Sequence, residues 1–233
     1  MKFKVSKDVF DKLDDVCFGV VIAKGIDNTE NVDKINNLLE ESIKYVEGYF
    51  ADKKVKESDE IIPYRDAFKK LEINPNKFMS SIEAMTSRVA KGKKLPNINS
   101  IVDLGNSMSL KYLVPMGAHD IGSNNSDICV RFSTNEDKFI PFGEEEVEVL
   151  DNGELIYSVG DIVKTRRWIW RQGEVGKVTE ETNSVFFPID GFKDSNLEKV
   201  LSARDELANL LKEIFNCQVT VGLVDKDNPE MDI

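Results

Sequence analysis

Two hydrophobic patterns divide the chain. In the first half, apolar residues recur every three or four positions; in the second, they alternate or form short blocks between turn residues. Residues 16–23, VCFGVVIA, are a continuous apolar run whose length and β-branched content predict a buried strand. After a loop from Gly25 to Thr29, apolar positions 32, 35, 39, 43, 46 and 50 predict an amphipathic helix. Lys53–Asp59 reads as a short charged linker. Pro63 suits the first turn of a helix whose stripe is Tyr64, Ala67, Phe68 and Leu71, ended by Asn74-Pro75. Ser80 and Glu83 form a capping box for the next helix, which carries Ile82, Met85 and Val89 inward and has Gly92 at its C-terminal glycine position. Ser100, with Asp103 three residues on, predicts the start of a helix over 101–113. Ile101, Leu104, Met108 and Tyr112 make its apolar stripe, with Asp103, Asn106 and Leu110 beside it; Pro115 and Gly117 end it.

The second half reads as strands. Asp127–Ser133 alternates, and residues 144–149 and 154–159 flank Asp151-Asn152-Gly153, a strong hairpin signal. Residues 161–172 and 185–189 are further strands, and Pro188 predicts an edge or a bulge in the last. In 161–172, alternation puts Trp168 and Trp170 on one face and Arg167, Ile169 and Arg171 on the other; Arg166 then shares the Trp face and needs a carboxylate partner. Ser195 and Glu198 cap a closing helix with a wide apolar stripe from Leu197 to Phe215, residues 219–224 add a short strand, and 225–233 reads as a frayed acidic tail. Together these predict one compact α+β unit over 1–233.

Composition narrows the class. A chain of 233 residues, 41% hydrophobic and 31% charged, is that of a globular protein with a sizeable core. No apolar run approaches the ~20 residues of a membrane span, and the charged N-terminus lacks a signal-peptide core, which predicts a cytoplasmic protein with no membrane partner. Cys17, Cys129 and Cys217 are odd in number and far apart, so they read as free thiols rather than a disulfide framework or metal site. The net charge of -11 counts against non-specific nucleic-acid binding and requires that any phosphate contact come from local clusters. Two such clusters exist: Arg88, Lys91, Lys93 and Lys94, and Lys164, Arg166, Arg167 and Arg171; both also read as plain solvated surface.

His119 is the lone histidine, and Asp120 beside it can fix its tautomer. By itself such a residue is more often a satisfied structural group than a catalyst. Thr179 and Thr182, at their spacing, are equally turn residues. No phosphate loop, metal-ligand spacing or nucleophile elbow occurs.

Asn99, Val102, Asp103, Asn106, Pro115, His119 and Asp120, followed by Val178-Thr179-Glu180-Glu181-Thr182 and Val185-Phe186-Phe187, form a pattern. It resembles the B3/B4 editing domain of the phenylalanyl-tRNA synthetase β subunit. YRDAF at 64–68, SSIEAMTSRV at 80–89 and RRWIWRQ at 166–172 are similar to free-standing proteins of that family, so the resemblance is strongest over 60–215. It implies an α+β editing-domain fold of mixed sheets packed with helices. It also implies hydrolysis of the ester joining a wrong amino acid to tRNA, without cofactor or metal. His119 and Asp120 would then be catalytic, orienting a water or the terminal ribose; Asn106, Asp190, Thr179, Thr182 and Trp168 would bind substrate; Arg88, Arg166, Arg167 and Arg171 would hold the tRNA acceptor end. Partners implied are tRNA and a synthetase, not DNA. The sequence departs from the family where Pro188 stands in place of a substrate-reading glutamate; Asp190 is the nearest acid. A non-catalytic module binding tRNA, a synthetase or an amino acid, and a small-molecule esterase or amidase, are the alternatives.

Overall fold

Four aromatic rings mark where two β-sheets face each other. The Phe3 centroid lies 5.8 Å from Phe18, 4.9 Å from Phe186 and 6.2 Å from Tyr157. The structure, a computed structural model, describes residues 1–29, 32–122 and 126–233. Its elements, in chain order, are β1 (Lys2–Val5), α1 (Lys7–Lys12), β2 (Val16–Lys24), α2 (Asp33–Tyr49), α3 (Ile62–Lys70), α4 (Ser81–Ala90), α5 (Ser100–Tyr112), β3 (His119–Asp120), β4 (Ile128–Phe132), β5 (Lys138–Phe139), β6 (Glu148–Val149), β7 (Leu155–Val159), β8 (Ile162–Arg166), β9 (Arg171–Gln172), β10 (Ser184–Phe192), α6 (Leu197–Phe215), β11 (Gln218–Val224) and β12 (Glu230–Asp232).

The larger sheet runs β12-β1-β4-β7-β8-β5-β6, with β9 added to β8; the smaller runs β11-β2-β10-β3. One face of the small sheet meets the large sheet through the four rings. The other is covered by α2, α5 and α6, where Val21, Ala23, Phe187 and Ile189 pack on Ile35, Leu104, Met108, Val200 and Leu207. This layering explains the unbroken apolar run at 16–23: with both faces of β2 covered, each side chain except Lys24 is buried. Helix α2 shows the amphipathic stripe, burying Ile35, Leu39 and Val46.

Several expectations need correction. The cap of α5 is Asn99, whose side-chain oxygen accepts from the Val102 N–H at 3.0 Å, while Asp103 reaches back to the Ile98 N–H. Ser100 is one residue too late to cap; its Oγ accepts from the Val32 N–H instead. The helix ends where expected, but Leu113 in the left-handed conformation at φ 56°, rather than Pro115, closes it. Residues 53–59 are no linker: they hold a 3-10 turn at Val55–Glu57 with Val55 buried. The Asn152-Gly153 turn does not join paired strands, because β6 pairs with β5 and β7 with β4 and β8. Ser133 claims that turn instead, donating to the Asp151 carbonyl and accepting from the Gly153 N–H. The tight hairpin lies at Gly160-Asp161, between the paired Val159 and Ile162. Helix α6 begins after Asn196, not Ser195, without a side-chain cap. The chain end is not frayed: β12 pairs with β1, and a turn anchored by buried Asp225 precedes it.

Candidate functional site

A pocket of about 400 Å³, counting its open mouth, lies where the two sheets part. Trp168, Tyr157 and Thr165 line it from the large-sheet side, and His119, Pro188 and Asp190 from the small sheet.

Pro188 does not make β10 an edge, and no bulge follows. The strand pairs with β2 along its whole length, Pro188 opposite Val20. On the other side, β3 is only two residues long, and the chain before it lies irregularly along β10. There the Gly117 N–H donates to the Pro188 carbonyl and the Asp190 N–H to the Pro115 carbonyl. The missing Pro188 donor therefore faces irregular chain rather than a continuous ladder, which is why an interior strand tolerates it.

Two residues on from Pro188, Asp190 is 2% exposed. Its Oδ1 accepts from the Tyr157 hydroxyl at 2.6 Å and the Trp168 indole N–H at 2.7 Å. Among the described residues, no donor reaches Oδ2. Burial pushes the carboxyl up to about 7; the Tyr157 and Trp168 bonds oppose this only in part.

Trp168 reaches Asp190 because the strand expected over 161–172 breaks. Arg167 and Trp168 take positive φ, 47° and 59°. Each such residue costs roughly 1–2 kcal/mol. Full burial of the indole and its bond to Asp190 offset this. The break also overturns the predicted faces: Trp168 turns inward, while the Arg167 guanidinium lies 4.0 Å over Phe78 and 4.7 Å over Trp170.

His119 is buried, its ring centroid 6.0 Å from that of Tyr157 and 6.1 Å from that of Phe186, both in stacked orientation. Nδ1 is buried without a hydrogen-bond partner. Burial, helped by the charge of Lys164, pulls its pKa down to about 3, so the ring is neutral at any physiological pH. A Cβ on Gly117 would come within 3.0 Å of Nε2 and 3.1 Å of the Pro188 ring, so only glycine leaves that edge clear.

Asp120 does not orient His119, because adjacent strand residues point to opposite faces. It accepts from the Thr182 hydroxyl at 2.6 Å and the Gly122 N–H at 2.7 Å. Thr182 Oγ1 in turn accepts from the Thr179 N–H, so both threonines build the turn entering β10 rather than line the pocket. Asn106 stands in an adjoining cavity of about 550 Å³, which shares Met116, Gly117 and Gln172 with the His119 pocket.

The arginines are engaged elsewhere. Arg166 pairs with Glu148 and Glu154, the carboxylate partnership its sequence position called for; Arg167 pairs with Glu154 and Arg171 with Glu144. Arg88 donates to the Lys94 carbonyl. Arg166, Arg167 and Arg171 are therefore not open forks for phosphate, whereas exposed Arg88, among the described residues, engages only its Nε.

Tyr157 and Gln172 line the pocket without having been singled out from sequence. A tyrosine at an inward-facing position was the available signal, since a buried hydroxyl needs a partner. Among the described residues, no three His, Cys, Asp or Glu side chains converge to hold a metal, and no helix is long and apolar enough to cross a membrane.

Fold and site define a helix-backed, two-sheet α+β protein with a largely apolar pocket at the sheet junction, holding an uncharged imidazole and a buried carboxyl with one oxygen unclaimed. The model of the B3/4 domain matches residues 63–216, more than half of the chain, and the chain belongs to that family. Among solved structures, an N-terminal fragment of the phenylalanyl-tRNA synthetase β-subunit from Pyrococcus horikoshii is similar, at 14% identity and a TM-score of 0.48, over 87% of this chain and 46% of that one. This chain thus spans less than half the length of that fragment. No curated protein matches.

Proposed function

We propose that the pocket takes the aminoacyl end of a mischarged tRNA and promotes hydrolysis of its ester. The observation that carries this reading is Asp190. Tyr157 and Trp168 both bind Oδ1, which leaves Oδ2 to accept from the substrate's ammonium group. An ammonium there restores the charge that burial disfavours, so binding and ionisation of Asp190 support each other.

An aminoacyl ester is already activated, so positioning can do most of the work. Neutral His119 offers one ring nitrogen as acceptor and one as donor to a water or the ribose, without becoming imidazolium. Pro188, Trp168 and Tyr157 shape the apolar walls. A pocket tuned to an ammonium and a compact side chain rejects ligands that leave Asp190 unpaired.

The test is a panel of mischarged tRNAs, including ones carrying non-protein amino acids, incubated with catalytic amounts of protein. Turnover on at least one, reduced roughly 10²-fold in His119→Phe, is expected. Phenylalanine keeps the ring stack but removes both nitrogens. Wild-type rates in that variant remove His119 from the reaction; no turnover across the panel overturns the reading.

One observation favours a second reading, a non-catalytic module docking on a synthetase. Three of the four arginines expected to grip tRNA, Arg166, Arg167 and Arg171, are held by carboxylates, and the net charge is -11. A binder would protect or sequester charged tRNA in proportion to its own amount and show no turnover.

A further inference from the structure

Beyond helping to keep His119 neutral, Lys164 has no role in the reading above. It lies on β8, next to Thr165 of the His119 pocket, and is only 9% exposed. Neighbouring cations have partners: Lys138 pairs with Asp161, Lys177 with Glu174 and Arg166 with Glu154. Among the described residues, no hydrogen bond or ion pair reaches the Lys164 ammonium. Burial pulls its pKa down, with Asp120 opposing. Both Asp120 oxygens are already committed to Thr182 and Gly122.

The surroundings are shaped to this head group. Gly176, at φ +81°, lies so close that a Cβ there would come within 2.8 Å of Lys164 Nζ. Lys164, Lys177, Asp120, Gly176, Gly122 and Val175 line an open groove of about 830 Å³. Lys177 also lines the Asn106 cavity, which shares Gly117 and Gln172 with the His119 pocket. The Asn106 cavity thus borders both the His119 pocket, through Gly117 and Gln172, and the Lys164 groove, through Lys177. A buried cation with no hydrogen bond or ion pair of its own, whose nearby Asp120 carboxylate is already bonded to Thr182 and Gly122, is matched by a ligand that brings an anion.

We propose that Lys164 binds a phosphate of the ligand: the 5′-phosphate of the nucleotide whose 3′-aminoacyl group enters the His119–Asp190 pocket. This rests on the reading given under Proposed function. It also supplies the phosphate contact that Arg166, Arg167 and Arg171 do not.

Two measurements test it. The first compares hydrolysis of 3′-O-aminoacyl-adenosine with that of its 5′-phosphate. In wild type the phosphate should lower KM about tenfold or more, the worth of one charge-assisted hydrogen bond. Lys164→Met should abolish that gain and leave KM for the unphosphorylated ester unchanged; Lys164→Arg should keep part of it. Equal KM values in wild type overturn the proposal and leave the deacylase reading standing. The second reads binding without activity: NMR of the reductively methylated protein titrated with inorganic phosphate or acetate. The Lys164 resonance, assigned by its absence in Lys164→Met, should move saturably with phosphate and far less with acetate. No response, or an equal response to acetate, overturns the phosphate assignment. A phosphate response from a protein that cleaves neither ester keeps the anion site and overturns the catalytic reading instead.

Discussion

Replacing Asp190 by asparagine gives a direct reading of how the pocket holds its carboxyl. The asparagine oxygen can still accept from Tyr157 and Trp168, and its amide group replaces the unclaimed Oδ2, so shape and packing survive. What disappears is titration. Asp190 is held near 7 in the folded protein, against 3.8 ordinarily. An acid whose pKa is raised by folding contributes stability that is fully present below about 3.8 and is lost as pH rises through 7. At about 1.4 kcal/mol per pH unit, the loss amounts to roughly 4 kcal/mol. The stability of Asp190→Asn minus that of wild type should therefore rise by that order between pH 4 and pH 8, measured as urea midpoints at constant m. His119 slopes the other way: its pKa is depressed from 6.5 to about 3, so its contribution is lost as pH falls through that range. Both proteins carry His119, and its effect cancels in the difference. A difference flat from pH 4 to pH 8 would refute the claim that Asp190 is a buried, largely unsolvated acid.

Other perturbations separate site from scaffold. Gly117→Ala should abolish ester cleavage or ligand binding at modest cost in stability, because its methyl meets His119 Nε2 and Pro188; titration calorimetry alongside thermal melts would show unimpaired binding if the cleared edge is irrelevant. Thr182→Val should cost roughly 1–3 kcal/mol by stranding Asp120 Oδ2 and the Thr179 N–H, with activity per folded molecule unchanged and stability restored by Thr182→Ser. A large change in KM would return Thr182 to the substrate. Glu154→Leu should destabilise by about 1.5–3 kcal/mol, since Arg166 and Arg167 both lean on that carboxylate; an unchanged urea midpoint would show the ion pairs to be idle.

The sequence by itself determined the elements whose cause is local. The stripe of Ile35, Leu39 and Val46, the Ser80 cap and the run at 16–23 are dictated by periodicity and side-chain chemistry within a few residues, and they recur in the structure. The order of motifs was enough to place the chain in its family. Pairing was decided elsewhere: Asn152-Gly153 looks like a hairpin, yet Ser133, some twenty residues away, takes its hydrogen bonds. The site followed the same rule. Asp120 sits beside His119 in sequence, but strand geometry sends it to Thr182. Asp190 meets Tyr157 and Trp168 only because two sheets pack face to face and the chain turns left-handed at Arg167-Trp168. Burial, which moves both His119 and Asp190 far from their ordinary pKa values, belongs to no stretch of sequence; it arises when distant layers close over them and exclude water.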